Sequence, residues 1–323
     1  MKKIICAIVA LLMLVSLTAC SNQAQTPTGH PENFKVAIVQ QLDHSSLDEI
    51  RVAIEAELAA ADIQYQVYNG QNDASILNQI GTEVMADGFD MIIPIATLAA
   101  QTMATAADGE IPVVYAAVSD PVGNGLTGMD NVTGTSDALN TPFILDMMFH
   151  ADPEIQTVGL LYSNSEPNSQ KPIAEAKEYL DAKGIAYIEK TGTTAGEIIE
   201  ATSALVGRCD AVFTPTDNAV MATEAAVAEI LNQAGIPHYA GADSFVVAGA
   251  FATCGVNYTE LGTYTGKMAI DILNGGEIPE FHVMEGGIIS GNSLTGLACG
   301  LNIGVFLDMA NTVIDVCTGT LGM

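Results

Sequence analysis

Residues 34–58, FKVAIVQQLDHSSLDEIRVAIEAEL, place an apolar run directly before a segment with helical periodicity. The run at 34–40 is rich in aliphatic and β-branched residues, which predicts a strand. Ser45 or Ser46 then supplies an N-cap, and the leucines and isoleucines that follow recur at three- and four-residue spacing. This stretch therefore predicts a β-strand that leads directly into an amphipathic helix.

The same alternation of strand and helix continues along the chain. Apolar runs at 63–68, 90–96 and 111–118 alternate with helical periods, and the rhythm resumes at 157–162 after an interruption. Strands that are apolar at nearly every position are buried on both faces, which favours parallel sheets covered by helices. We therefore expect an α/β fold with two doubly wound parallel-sheet lobes joined by a hinge.

The interruption marks the expected boundary between the lobes. Residues 119–137, SDPVGNGLTGMDNVTGTSD, are rich in Gly, Asp and Asn, which predicts a connecting loop. We expect an N-terminal lobe at 33–137 and a C-terminal lobe at 138–256. Parts of 257–290 and 291–323 then return to complete the first and the second lobe, respectively.

The chain is strongly acidic. Its 323 residues include 10 Lys and Arg against 38 Asp and Glu, a formal net charge of −28, and 49% of them are hydrophobic. A protein this acidic does not neutralise the phosphates of a nucleic acid, so we expect no nucleic-acid partner. The hydrophobic content is high enough to bury a core, which excludes intrinsic disorder. The negative charge also repels anionic lipid headgroups, so membrane attachment requires an anchor.

The N-terminal segment predicts such an anchor. Lys2 and Lys3 precede an apolar run at 4–15, which is too short to cross ~30 Å of hydrocarbon and is typical of a signal peptide. The sequence LTAC that ends at Cys20 resembles a bacterial lipobox, which predicts removal of 1–19 and lipid attachment to the Cys20 thiol. Residues 20–32 would then form a polar, lipidated tether. The alternative is a plain secretory signal in which the cysteine is incidental.

Polar residues follow several of the predicted strands. The carboxyl ends of parallel strands meet at one edge of a sheet, which is where doubly wound proteins bind their ligands. The candidates at these positions are His44, Thr97, Ser119, Asp120, Asn164, Asp217, Asn218 and Asp243. Each aspartate also fits a plain helix-capping role, and His44 fits either a ligand contact or a solvated cap.

No pattern of catalytic chemistry accompanies these residues. The sequence has no G-x-S-x-G elbow, and its five histidines and six cysteines do not stand at metal-ligand spacing. Residues 123–128, GNGLTG, match G-x-G-x-x-G, but no amphipathic helix follows, which favours a connector over a nucleotide site. We therefore expect a binding protein without a metal or cofactor, and not an enzyme.

Five motifs stand in an order that resembles a known family. They are IATLAAQ at 95–101, AAVSDPVG at 116–123, NVTG at 131–134, LYSNSEPNS at 161–169 and PTDN at 215–218. Together they resemble the ABC-transporter substrate-binding proteins typified by tryptophan/tyrosine-binding lipoproteins. The resemblance implies a periplasmic-binding-protein type I fold whose lobes close on an amino acid, expected here to be aromatic. It also implies an ABC permease and ATPase as partners and a location on the extracytoplasmic face of the bacterial cell membrane.

The resemblance also suggests how an amino acid is held. Thr97 and Ser119 would bind its carboxylate, and Asp217 would pair with its ammonium group, supported by Asp120 or Glu166. The residues expected to supply neutral hydrogen bonds are Asn164, Asn168, Ser169 and Asn218. The chain has no Trp, so aromatic contact would come from Tyr162 or Tyr258, with Tyr115 and Phe213 expected in the core.

Two other functions stay open at this stage. One is a binding protein of the same fold for a sugar, a nucleoside or another small solute. The other is a ligand-sensing module that reports to a membrane receptor rather than to a transporter. A ligand screen by thermal shift separates the first alternative, because a ligand that binds only the folded state raises its stability.

Overall fold

The N-terminal sheet is parallel throughout. The structure, a computed structural model, describes residues 34–321. The first elements alternate as β1 (Lys35–Gln40), α1 (Ser45–Ala60), β2 (Gln64–Asn69), α2 (Ala74–Ala86), β3 (Met91–Ile95), α3 (Thr97–Ala107), β4 (Val113–Tyr115) and β5 (Val132–Ser136). A later strand, β11 (His282–Val283), pairs with β5 and gives the strand order β11-β5-β4-β3-β1-β2.

The C-terminal sheet is mixed. Its first elements are α4 (Thr141–Ala151), β6 (Thr157–Tyr162), α5 (Gln170–Lys183), β7 (Ala186–Thr191), α6 (Ala195–Ser203), β8 (Ala211–Thr214), α7 (Asn218–Met221), α8 (Glu224–Gln233), β9 (His238–Ala240), α9 (Asp243–Ala248) and β10 (Ala252–Gly255). The last elements are β12 (Ile288–Gly291), α11 (Ser293–Cys299), β13 (Val313–Asp315) and β14 (Gly319–Leu321). The strand order is β14-β13-β12-β10-β9-β8-β6-β7, in which β12 is antiparallel to β10 and β14 is antiparallel to β13.

Strand β1 shows why helices cover both faces of the first sheet. Val36 and Ile38 pack on one side against Ile50 of α1. Ala37 and Val39 pack on the other side, in the cluster that α2 and α3 form. Successive side chains of a strand point to opposite faces, so a strand that is buried throughout requires a layer of helices on each side. The predicted α/β class with two lobes is confirmed.

The chain passes between the two sheets at three places within the described residues, namely 137–140, 256–257 and 284–287. We use "N-terminal lobe" for 34–136 with 258–283, and "C-terminal lobe" for 141–255 with 288–321. The second part of the N-terminal lobe contains α10 (Tyr258–Leu273), which packs on α1. Because both lobes contain residues from distant parts of the chain, they are joined by these crossings rather than by a single linker.

The glycine-rich segment that predicted a connecting loop ends in a strand. Residues 132–136 form β5, which lies between β4 and β11 and is buried at every position. Gly134 has φ 159, and a Cβ added there would collide with the carbonyl oxygen of Tyr115. The prediction of a loop throughout 119–137 is therefore wrong, because the small residues that suggested a loop allow β5 to approach β4 closely.

A second difference concerns the region before β10. The structure contains the short helix α9 at 243–248 directly before the strand at 252–255, and the sequence pattern does not indicate this helix. The β-branched residues of α9 have a low helix propensity. Phe245 and Val246 of this helix are buried in the core, so tertiary packing outweighs the local preference.

The predicted signal peptide, the lipidation site Cys20 and the tether at 20–32 lie outside the described residues. Nowhere in residues 34–321 does a helix combine the length and the apolar character needed to cross a bilayer. The predicted lipid anchor therefore rests on the sequence alone.

We predict that Gly262→Ala destabilises the packing of α10 on α1. A Cβ at Gly262 would lie 2.5 Å from the carbonyl oxygen of Ile50 and 2.8 Å from the Cβ of Ala53. Overpacking of this kind costs about 1–3 kcal/mol of unfolding free energy, which urea denaturation measures. Gly196→Ala is the matched control, because a Cβ at this exposed helical position meets nothing within 4 Å and gains about 0.5–1 kcal/mol. Equal effects of the two substitutions would contradict the close helix contact.

Candidate ligand-binding site

A cavity lies where the carboxyl ends of the two sheets face each other. The space inside it measures about 340 Å³ when the part that opens to solvent is included, of which about 20 Å³ is free to a water-sized sphere. The N-terminal lobe contributes His44, Ser46, Leu47, Ala96, Ala117, Ser119 and Tyr258, and the first crossing contributes Asp137. The C-terminal lobe contributes Asn168, Thr216, Asp217, Asn218, Met221, Ala242 and Phe245. Both lobes therefore build one site.

The lobes contact each other directly around this cavity. His44 Nε2 lies 3.0 Å from Asn218 Oδ1, and Ser119 Oγ lies 3.2 Å from Thr216 Oγ1. Ser46 and Ser244 are joined through their hydroxyls. These pairs connect opposite lobes at several points around the cavity, so the structure represents a closed arrangement.

One part of the cavity wall is apolar. Leu47 lies on α1, Met221 ends α7, and Phe245 lies on α9. Tyr258 adds a second ring, as its predicted role requires. Phe245 was not among the sequence candidates, because nothing in the sequence predicted that a helix would place it beside the cavity.

The backbone at the ends of β3 and β4 is strained where it borders the cavity. Ala96 has φ 78 and Ala117 has φ 56, values that cost an L-residue about 1–3 kcal/mol. Ala96 directly precedes α3, so the amino-terminal end of that helix points toward the cavity. Thr97, the first residue of α3, is fully buried and does not line the cavity, and its Oγ1 has no hydrogen-bond partner among the described residues. The partial positive charge of a helix N-terminus favours a negative group at this end of the site.

Asp137 is a carboxylate that sequence reasoning missed. Ser119 Oγ donates to its Oδ1 at 2.9 Å, and the Tyr258 hydroxyl donates to its Oδ2 at 3.3 Å. Burial raises the pKa of Asp137, although these two hydrogen bonds oppose the shift. The ion pairs among the described residues all involve other carboxylates. The only sequence signal was its place directly after the β-branched run that became β5.

Asp217 lines the cavity, but its carboxylate is already engaged. It caps α7, with Oδ1 accepting from the Val220 backbone N–H at 2.9 Å. Its Oδ2 accepts from the Ser163 backbone N–H and from Ser169 Oγ, both at 2.7 Å. Burial raises the pKa of Asp217 in spite of these bonds. The structure thus favours the capping interpretation and places Ser169 behind Asp217 rather than in the cavity.

His44 and Asn168 each carry a buried polar atom without a partner among the described residues. Nδ1 of His44 is such an atom, and burial lowers the pKa of this histidine, which favours the uncharged ring. Asn168 donates from Nδ2 to the carbonyl oxygen of Thr216, which leaves its Oδ1 unpartnered. Both residues line the cavity and are therefore available to hydrogen-bond a ligand.

Five further candidates lie outside the cavity lining. The Tyr162 hydroxyl donates to Glu189 at 2.8 Å, and exposed Asn164 donates to Thr191 at 3.0 Å. Asp120 accepts from the Gly123 backbone N–H at 3.1 Å and lies 3.9 Å from the Lys171 ammonium group. Asp243 is the partly exposed first residue of α9, and Glu166 is buried between the lobes. The polar groups of Tyr162, Asn164 and Asp120 are thus engaged by partners outside the cavity, which the linear sequence does not indicate.

Comparisons with known proteins agree with this geometry. The family model described as ABC transporter substrate binding protein matches residues 35–288. A tyrosine-binding protein of Clostridioides difficile is 32% identical over 300 residues, which cover 86% of this chain and 87% of the relative. That family consists of extracytoplasmic solute-binding proteins rather than enzymes.

Two solved structures share the fold and superpose on this chain to different extents. A Streptococcus pneumoniae ABC domain in complex with L-Trp is 29% identical, covers 87% of this chain and 100% of its own, and superposes with a TM-score of 0.81. A ligand-free, open substrate-binding protein with adhesive properties from Clostridium difficile is 33% identical, with 83% and 95% of the chains covered, and its TM-score is 0.63. The better superposition on the complex, despite lower identity, agrees with the closed lobes described above. The chain belongs to the family of ABC transporter substrate binding proteins.

Proposed function

We propose that this protein binds an aromatic amino acid between its lobes and delivers it to the permease and ATPase of an ABC importer. The observation that carries the proposal is the cavity itself, which combines a buried carboxylate, the N-terminus of α3 and an apolar wall. An aromatic amino acid presents an ammonium group, a carboxylate and an apolar ring, and each of these three features suits one of them. Two similar proteins, a tyrosine-binding protein and an ABC domain in complex with L-Trp, support the same ligand class.

Asp137 is the better partner for the ligand ammonium group. Its two oxygens each accept one hydrogen bond, and both donors are hydroxyls. A carboxylate has about four acceptor positions, so Asp137 keeps room for a charged N–H donor. Asp217 accepts three hydrogen bonds, two of them from backbone N–H groups that cannot rotate away. We therefore assign the ammonium group to Asp137 in place of Asp217.

The remaining surfaces of the cavity then bind the carboxylate and the side chain of the ligand. None of the residues that line the cavity is a lysine or arginine, so the negative group depends on the dipole of α3 and on neutral hydrogen-bond donors. Phe245, Leu47 and Met221 provide an apolar surface that suits a ring better than the many hydroxyls of a sugar. Buried Asn168 and neutral His44 are placed to orient the ligand through hydrogen bonds.

We predict that L-tryptophan or L-tyrosine binds the purified protein and that Asp137→Asn weakens this binding about ten- to a hundredfold. Loss of a hydrogen bond to a charged group costs about 1.5–3 kcal/mol, and the hydroxyls around Asp137 can rotate to suit an amide. Isothermal titration calorimetry measures the change. Asp120→Asn is the matched control, because this aspartate lies outside the cavity lining. Binding of ribose or adenosine without binding of either amino acid would replace the proposed ligand class.

We predict that Asp217→Asn acts mainly on folding. Asparagine is a good N-cap on an exposed helix, but its Nδ2 cannot accept from the Ser163 N–H that Asp217 Oδ2 now binds. A buried donor left unpaired costs about 1–3 kcal/mol, so the melting temperature should fall. Ser169→Ala removes a single hydroxyl donor to the same oxygen and should cost less. An unchanged melting temperature in Asp217→Asn would show that Oδ2 is not engaged as described.

We further propose that the protein is held at the extracytoplasmic face of the cell membrane by lipid on Cys20. The supporting observation is the short apolar run at 4–15 followed by LTAC. We predict that Cys20→Ser moves the full-length protein from the detergent phase to the aqueous phase when native cells are extracted. Equal partitioning of the wild type and the variant would contradict lipidation. A cysteine inside the folded region, Cys317→Ser, serves as the control and should not change the partitioning.

A further inference from the structure

A chain of hydrogen bonds joins the lobes beside the cavity through a buried glutamate. Glu166 lies in the C-terminal lobe, in the loop after β6, and is fully buried. Its Oε1 accepts from Gln41 Nε2 of the N-terminal lobe at 3.0 Å, and its Oε2 accepts from Asn218 Nδ2 at 2.8 Å. Asn218 Oδ1 in turn meets His44 Nε2 of the N-terminal lobe. The carboxyl group of Glu166 therefore stands between two contacts that cross from lobe to lobe.

The N-terminal partner is held in one orientation. Gln41 Oε1 accepts from the Leu98 backbone N–H at 3.1 Å, and Gln41 Nε2 also donates to Asn72 Oδ1 at 2.8 Å. Turning the amide would lose both bonds, so Gln41 always presents a donor to Glu166. The buried glutamine is thus a fixed contact point for the opposite lobe.

The surroundings of Glu166 contain no positive charge that pairs with it. The residues that face it are Asp217 and Asn218 at α7, and Gln41 and Asn72 of the N-terminal lobe, with neutral His44 one hydrogen bond further away. Among the described residues, every lysine or arginine in an ion pair binds a different carboxylate. An ionised glutamate buried in this position is costly, because its charge is neither solvated nor paired.

We propose that Glu166 is a proton-linked latch, which takes up a proton when the lobes close and releases it when they separate. Gln41 and Asn72 cover the carboxyl group only while the lobes are in contact. In the closed protein, burial first and the charge of Asp217 second raise the pKa of Glu166 to about 8. Separation of the lobes exposes the group to water and returns its pKa toward the ordinary value.

Neutral His44 explains how the added proton is accommodated. A proton on Glu166 Oε2 would face the Asn218 Nδ2 donor, so the Asn218 amide must turn and present its Oδ1 instead. Asn218 then donates to His44 Nε2, which accepts once the ring proton has moved to Nδ1. Nδ1 has no partner among the described residues, so the exchange of tautomer breaks no hydrogen bond within the protein and changes Nδ1 from an acceptor to a donor toward a ligand. Gln41 keeps donating to Oε1 throughout.

The sign of the pH dependence follows from this linkage. The closed form holds the proton over the range from the ordinary pKa of glutamate up to about 8, whereas the open form does not. Closure therefore weakens as the pH rises from the ordinary pKa of histidine to about 8, whereas below that range the lowered pKa of His44 opposes closure. The apparent affinity of a ligand that requires closure should fall by up to about tenfold per pH unit below pH 8 and level off above it.

The test compares the wild type with Glu166→Gln at pH 6.0, 7.0 and 8.5. A carboxamide, like a protonated carboxyl group, has one group that accepts and one group that donates hydrogen bonds, so this variant should close with little pH dependence. Calorimetric titration of L-tryptophan or L-tyrosine in two buffers of different ionisation enthalpy counts the protons taken up. At pH 7 we expect the wild type to take up close to one proton per ligand bound. Glu166→Gln should take up about one proton fewer per ligand than the wild type. Exposed Glu178→Gln is the control and should behave as the wild type.

Small-angle scattering of the ligand-free protein supplies a second measurement that is independent of the ligand. The wild type should have a larger radius of gyration at pH 8.5 than at pH 6.0, and Glu166→Gln should not. The scattering measurement still tests the latch if neither amino acid binds. In that case only the proposed ligand class is contradicted. If the wild type takes up no proton on binding and keeps one radius of gyration across this pH range, the latch is overturned. Identical pH dependence in the wild type and in a folded Glu166→Gln would also overturn it.

Discussion

The hydrogen bonds that join the carboxyl ends of the two sheets are the interactions on which the site depends. Residues of both lobes line one cavity there, and its polar groups follow β1, β4, β5 and β8. The pairs His44–Asn218 and Ser119–Thr216 fix this meeting at separate points. A parallel sheet directs every strand end to the same edge, so two such sheets facing each other concentrate their loops at one place.

The sequence predicts where strands and helices lie along the chain better than it predicts which residues contact each other in the fold. The alternation at 34–118 is strong enough to predict the strand ends, so His44 and Ser119 were expected near the site and lie there. Asp137 was missed because its neighbours are small and polar, which is the composition of a loop as well as of a closely packed strand. Phe245 was missed because α9 forms against its local preference. In both cases a tertiary contact outweighs the local pattern.

The aspartates at the strand ends also show that the sequence predicts a residue's position better than its contacts. Asp217 and Asp120 stand at strand ends as the sequence suggests, yet one caps α7 and the other binds the loop backbone at Gly123. Asp137 follows β5 in the same way but has hydroxyl neighbours instead of backbone donors. The sequence shows the acid and its position, but its role depends on whether nearby backbone N–H groups, as at Gly123 and Val220, or hydroxyls of distant residues surround it.

Buried carboxyl groups in this protein differ in how their burial is compensated. In the core of the C-terminal lobe, Glu224 Oε1 lies 2.9 Å from His238 Nδ1, and Thr214 Oγ1 lies 2.8 Å from the other ring nitrogen. These hydrogen bonds link β8 to β9 within one lobe, so they are not broken when the lobes separate. Glu166 has only amides and a second carboxylate around it, and its donors belong to different lobes.

This difference has a consequence for closure. A ligand shifts the balance between open and closed lobes only by its unequal affinity for the two forms, so the lobes must not close too firmly without it. If a positively charged side chain stood at position 41, its ion pair with Glu166 would hold the lobes together whether or not ligand is bound. Neutral amide partners make a weaker contact, whose strength depends on a proton. The chain thus keeps its strongest electrostatic compensation inside a lobe and its weakest between the lobes, where reversibility is required.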